Sequence, residues 1–94
     1  MTSNAAYDRA REIFYLAVQS LVGHGSLVKR LRNAAIHLKM LQTRELPKDM
    51  QDDFKTLVSE LTPIVEHKLV PVARITRKHV EKILSMYTEL LGGL

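Results

Sequence analysis

The chain has 94 residues, of which 46% are hydrophobic and 26% are charged, a composition typical of one small folded domain rather than a disordered chain. Its 14 basic and 10 acidic residues give a formal net charge of +4, and the absence of cysteine excludes disulfide scaffolds, thiolate metal sites and cysteine nucleophiles. The longest apolar run, 13–18, is too short to span a membrane. We therefore expect a single domain, 1–94, in the reducing cytoplasm.

Two amphipathic helices are predicted in the first half of the chain. Apolar residues recur at helical spacing over 5–22 and again over 26–43. The turn 23–26 (GHGS) separates them, with a glycine suited to a left-handed closing residue and Ser26 suited to cap the second helix. Such a turn needs its glycines for the connection itself, so we assign it a structural role rather than an anion site.

Two further helices are predicted in the second half. The third covers 47–61, because Pro47 fits a first helical turn and Pro63 should end or kink the helix. The stretch 63–71, bounded by two prolines, forms either a short extra helical turn or a continuation, and both alternatives stay open. The fourth helix is predicted over 72–91.

The predicted fold class is all-α, a single-domain antiparallel four-helix bundle. No segment shows the alternation of a strand, and the connections between helices are short. The core is expected to contain Ala10, Phe14, Ala17, Leu21, Leu31, Leu38, Phe54, Leu57, Leu61, Val80, Leu84, Tyr87 and Leu91.

Charge is distributed unevenly along the chain. The second helix region is basic and contains no acid, the third is acidic, and the fourth is again basic. In an up-down bundle the acidic helix would lie between the two basic ones and neutralise them, which is the interpretation we favour. The alternative is that the cations contact an anion or a nucleic acid. The candidate residues for those contacts are Lys29, Arg30, Arg32, Lys39, Arg77 and Lys78.

No recognisable motif for catalysis or metal binding occurs in the sequence. The four histidines are never three or four residues apart, so they cannot form a helical two-histidine metal clamp. The positive end of a helix dipole favours acidic residues on a solvated face, and this accounts for Asp49, Asp52 and Asp53 without a metal ion. No serine lies in a nucleophile elbow. We expect a non-enzymatic protein without a metal or cofactor.

Four apolar residues fall among polar ones on the helical wheels and indicate an interaction surface. They are Leu16, Ile36, Met40 and Met86. We expect a small interaction module that forms a homodimer, or docks on an unidentified protein partner, through its first two helices. Nucleic-acid binding through the basic faces of the second and fourth helices is the alternative, and no membrane association is expected.

Four segments together resemble small bacterial all-helical proteins of unknown function. They are 7–22 (YDRAREIFYLAVQSLV), 23–27 (GHGSL), 46–54 (LPKDMQDDF) and 83–91 (ILSMYTELL). The similarity covers most of the chain, and it consists of caps, turns and core positions. The resemblance implies a small bacterial helical protein and carries no activity or site residue with it.

Overall fold

The computed structural model describes residues 7–66 and 77–92. They form the helices α1 (Asp8–Leu21), α2 (Leu27–Leu38), α3 (Lys48–Val65) and α4 (Arg77–Leu90), with a 3-10 turn, Thr43–Glu45, between α2 and α3. No strand occurs in these two ranges, which confirms the all-α class.

The four helices form a closed ring in which each packs against the next and α4 returns to α1. The side chain of Arg11, near the start of α1, donates to the carbonyl oxygen of Leu90 at the end of α4. Arg9 likewise donates to the carbonyl oxygen of Met40, just beyond α2. Helix α1 is therefore antiparallel to both of its neighbours, as the bundle prediction requires.

The turn between α1 and α2 has the predicted cap. The Ser26 side-chain oxygen accepts a hydrogen bond of 3.2 Å from the backbone amide of Lys29. Gly25 has a φ of +109°, a conformation that L side chains rarely adopt, and its missing Cβ would lie 3.0 Å from Cδ of Lys29. Glycine at position 25 therefore permits both the backbone conformation of the turn and the close contact with the Lys29 side chain.

Helix α2 ends at Leu38, five residues earlier than predicted. Beyond it Leu41 and Leu46 are buried, so the chain leaves the helical path to bring two further leucines into the core. Glu45 stabilises the connection, because its carboxylate accepts a hydrogen bond from the backbone amide of Gln42 and forms a 2.8 Å ion pair with Arg9. Burial of the leucines offsets the helical hydrogen bonds that are lost.

Helix α3 continues through Pro63 to Val65, so the prediction that it ends near Leu61 is wrong. Proline in the last turn removes the bond to the Ser59 carbonyl, while continuation buries Ile64, which is 3% exposed. The stretch predicted as an extra turn or a continuation is thus helical as far as Val65, and its residues after 66 lie outside the described part of the chain.

The core contains every residue predicted for it from the first three helices. Phe14 of α1 and Phe54 of α3 meet across the diagonal of the ring of helices, with ring centroids 6.2 Å apart and planes tilted by 52°. A tilted arrangement at this distance is a favourable aromatic contact. The two rings therefore join helices that are not neighbours in the ring.

Helix α4 is rotated by one residue from its predicted register. The predicted stripe is Val80, Leu84, Tyr87 and Leu91, but Leu84 is 41% and Leu91 is 46% exposed, and the other two are half-buried. The buried stripe is His79, Ile83, Met86 and Leu90. The prediction that Leu84 and Leu91 belong to the core is wrong, and so is the placement of Met86 outside it.

Two contacts with α3 accompany this register. The Nε2 atom of His79 lies 3.0 Å from a Glu60 carboxylate oxygen, and Nζ of Lys82 lies 2.9 Å from a carboxylate oxygen of Asp53. The earlier residue of α3, Asp53, meets the later residue of α4, Lys82, so α3 and α4 are antiparallel. Both contacts lie on the edge of α4 that faces α3, beside the buried stripe that begins at His79.

The Phe54→Ala substitution tests the diagonal aromatic contact. Phe54 is 3% exposed, so its loss removes buried apolar area and leaves a cavity beside Phe14. We expect the free energy of unfolding to fall by about 3–5 kcal/mol in urea denaturation. A loss below about 1 kcal/mol would show that Phe54 is not central to the core.

The register of α4 is tested by comparing Met86→Ala with Leu84→Ala. Met86 is 1% exposed, and its truncation should cost about 2–5 kcal/mol. Leu84 is 41% exposed, so its truncation should change the unfolding free energy by less than about 1 kcal/mol. A larger loss of stability in Leu84→Ala than in Met86→Ala, measured by the same denaturation experiment, would instead support the register predicted from the sequence.

Candidate functional site

The structure gives the four residues of the predicted interaction surface different exposures to solvent. Ile36 and Met40 are 45% and 56% exposed. Leu16 is half-buried on α1. Met86 is a core residue and cannot contact a partner from inside the bundle, so its prediction as a surface residue is wrong.

Ile36 and Met40 belong to a continuous solvent-facing stripe that runs along α2 and into the turn that follows it. Lys29, Asn33, Ile36 and Met40 follow one another at spacings of 4, 3 and 4 and are all exposed, whereas the opposite side of α2 is buried. Arg32 and Lys39 flank the stripe. We call these six residues the α2 outer face.

The cations of the α2 outer face are not neutralised within the described residues. Lys29 and Lys39 are exposed and Arg32 is half-buried, and none of the three has an acidic partner within ion-pair distance there. The Nε atom of Arg32 is buried without a hydrogen-bond partner in the same part of the chain. The Nε atom of Arg30 is in the same state, so this feature does not by itself mark Arg32 as a binding residue.

Two acidic residues of α3 contact α4 instead. Asp53 pairs with Lys82, and Glu60 contacts His79. The favoured prediction, in which α3 neutralises both of its neighbours, is therefore confirmed for Lys82 of α4, whereas no cation of α2 pairs with α3 within the described residues. The reason is geometric, because the edge of α3 that carries Asp53 and Glu60 faces α4.

The remaining predicted anion contacts do not join the α2 outer face. A guanidinium nitrogen of Arg30 donates to the carbonyl oxygen of Leu21 at 2.9 Å and so satisfies the end of α1. Arg77 and Lys78 are exposed in the first turn of α4, which lies diagonally across the ring from α2. The basic faces of α2 and α4 therefore do not form one surface.

Lys29 occupies a helix position that favours the opposite charge. It is the third residue after the N-cap Ser26, where a glutamate would complete a capping box. A cation in the first turn also lies near the positive end of the helix dipole, which destabilises the helix by about 0.3–1 kcal/mol. The stability of α2 therefore does not account for this lysine.

Sequence reasoning missed a cleft between the end of α2 and α3. Its volume is about 300 Å³, and it is lined by Lys39, Leu41, Thr43, Phe54, Lys55, Val58 and Ser59. The heptad spacing of α3 identified Phe54 as a core residue, but the early end of α2 that opens the cleft has no signal in the sequence. We call this feature the α2–α3 cleft.

A second group of exposed apolar residues was also missed. It consists of Tyr15, Val22, Leu84 and Leu91 on α1 and α4. Arg11 shows which edge of α1 meets α4, and Tyr15 and Val22 follow Arg11 along that edge at helical spacing. No basic or acidic pattern accompanies this group, so its charge does not indicate a partner.

The described residues offer little for other kinds of site. Within 7–66 and 77–92, no group of three or more histidine, aspartate or glutamate side chains is arranged to hold a metal ion. In the same ranges, no helix has both the length and the hydropathy needed to cross a membrane.

Comparison of the chain with models of protein families, with curated proteins and with solved structures finds no match. The resemblance to small bacterial helical proteins thus stays a prediction, and the functional argument rests on the geometry of the described residues.

The Lys29→Glu substitution tests whether the fold disfavours this cation. We expect the unfolding free energy to rise by about 0.3–1 kcal/mol, because glutamate completes the capping box with Ser26 and complements the dipole. Lys29→Ala, which removes the charge alone, should give a smaller gain. Thermal denaturation of both variants measures the difference, and a loss of stability in Lys29→Glu would contradict the argument.

Proposed function

We propose that the protein is a non-enzymatic interaction module that docks an acidic protein partner on the α2 outer face. The observation that carries the proposal is the exposure of Ile36 and Met40 among cations that have no acidic partner in the described part of the chain. Apolar residues surrounded by unpaired charge of one sign match the centre and rim of a protein interface.

The two kinds of residue would contribute differently to binding. Burial of the exposed half of Ile36 and of Met40 would each stabilise a complex by about 0.7–1.5 kcal/mol before the cost of association. Lys29 and Lys39, at opposite ends of the face, would mainly raise the association rate with an acidic surface and set its orientation. Arg32, which is half-buried, would add a third positive charge beside the two apolar residues.

A homodimer centred on the α2 outer face is the less favoured version of the proposal. A two-fold contact places the same patch on both subunits, so Lys29, Arg32 and Lys39 would meet their own copies. Like charges brought together at an interface are destabilising. A second copy would bind more readily through the uncharged apolar group on α1 and α4, for example at Leu84.

Nucleic-acid binding is also less favoured than a protein partner. The bases of a single strand stack on aromatic side chains, whereas the apolar residues of this face are Ile36 and Met40. The cations of α2 and α4 lie on different sides of the ring and would not follow one duplex. A phosphate backbone would leave the exposed isoleucine and methionine without an apolar contact.

Site-specific photocrosslinking tests the proposed partner surface. A benzophenone amino acid at position 36 should crosslink one protein in cells, whereas the same group at Ser85, which is exposed on α4, should not. The crosslinked protein is then purified and titrated. We expect the double substitution Ile36→Asp/Met40→Asp to weaken its binding at least tenfold, because two apolar contacts are replaced by charges that repel an acidic surface.

Charge reversal provides the matched comparison in the same titration. Lys39→Glu should weaken binding and reduce its dependence on salt, whereas Lys48→Glu makes the same charge change on an exposed residue of α3 outside the face. Equal effects of the two substitutions would reduce the proposal to non-specific attraction by net charge. Crosslinks that are equally abundant from positions 36 and 85 would refute it.

Two measurements decide between the protein partner and the less favoured alternatives. Sedimentation equilibrium reports self-association, and a dimer lost in Ile36→Asp/Met40→Asp would make the partner a second copy. A dimer retained in that variant would place self-association elsewhere on the molecule. Labelled duplex that binds at 50 mM salt and dissociates steeply as salt rises would favour nucleic acid.

A further inference from the structure

The α2–α3 cleft reaches the hydrophobic core from the surface. Leu41 and Phe54, both among its lining residues, are 5% and 3% exposed and belong to the core, and the half-buried Val58 continues the apolar lining. At about 300 Å³ the cleft lies at the lower end of the range for small-molecule sites. An apolar group inserted there would contact core side chains.

Two lysines, one from each side of the cleft, make its rim positively charged. Lys39 follows the last residue of α2, and Lys55 projects from α3. Neither forms an ion pair within the described residues. Thr43 and Ser59 add two hydroxyl groups to the lining, and neither hydroxyl makes a hydrogen bond in that part of the chain.

We propose that the α2–α3 cleft binds a small amphiphile with an anionic head group. The apolar chain would lie against Leu41, Phe54 and Val58, and the head group would accept hydrogen bonds from the ammonium groups of Lys39 and Lys55. Apolar lining with a few convergent polar donors is the usual composition of a ligand site. A carboxylate and a phosphate share the required chemistry.

This site is distinct from the proposed partner surface, with which it shares only Lys39. The partner surface depends on Ile36 and Met40, and neither of them lines the cleft. Ligand binding in the cleft and partner binding on the α2 outer face can therefore fail separately, and Lys55 reports on the cleft alone.

Titration of the isotope-labelled protein with sodium decanoate, below its micelle concentration, tests the proposal by NMR. We expect saturable shifts of backbone amides around the cleft, with a dissociation constant in the millimolar range or below for a ligand of this size. Decanol should bind at least about fivefold more weakly, because it lacks the charge. Decyl phosphate compared with decanoate distinguishes the two head groups.

Variants separate the cleft from general attraction by a basic protein. Lys39→Ala and Lys55→Ala should each weaken decanoate binding about two- to fivefold. Lys29→Ala/Lys48→Ala, which removes two exposed lysines outside the cleft, should leave it unchanged. Val58→Trp should block binding by filling the cleft, with its circular dichroism spectrum recorded to show that it folds.

Three results would overturn the proposal. They are an absence of saturable shifts, equal affinity for decanol and decanoate, and equal weakening by the control pair and by the cleft pair Lys39→Ala/Lys55→Ala. If Val58→Trp fails to fold, the comparison of the two lysine pairs still decides the question.

Discussion

One aromatic contact joins α1 and α3, which do not lie side by side. Phe14 and Phe54 meet inside the ring of four helices, so each of α1 and α3 has its position set by a contact across the core as well as by its neighbours. Close packing leaves such a pair little freedom to shift. The outward direction of the α2 outer face follows, because α2 is held between α1 and α3 with its opposite side in the core. The cleft beside Phe54 depends on the same contact.

The buried faces of α2 and α3 were predictable because each helix carries a single apolar stripe. In α3 the residues Met50, Phe54 and Leu57 recur at heptad spacing with polar residues opposite, and all three are buried. Helix α4 carries two adjacent stripes of similar hydrophobicity, and local periodicity does not choose between them. The choice depends on how α4 packs against α1 and α3, and the contacts with Glu60 and Asp53 belong to that packing.

The candidate site was partly predictable for a similar reason. Residue type and spacing identified the cations of α2 and the exposed positions of Ile36 and Met40, because solvent-facing stripes are a property of one helix. Whether a cation finds an acid depends on the rotation of a second helix, which no pattern within α2 contains. The cleft depends on the chain leaving its helical path after Leu38, and burial of Leu41 and Leu46 in the core drives that departure.

The bond from Arg11 to the Leu90 carbonyl has a consequence for the order in which the molecule assembles. It spans 79 positions of the chain, whereas α1 and α2 meet across a short turn. Closing the long loop costs more conformational entropy than closing the short one, so we expect the α1–α2 hairpin to form first and α4 to dock last. Helix α4 would then also be the first part to detach. Detachment of α4 would expose Ile83 and Met86 to solvent while the α2 outer face stayed assembled. Partial unfolding would therefore expose aggregation-prone apolar surface on the opposite side of the molecule from the proposed partner site.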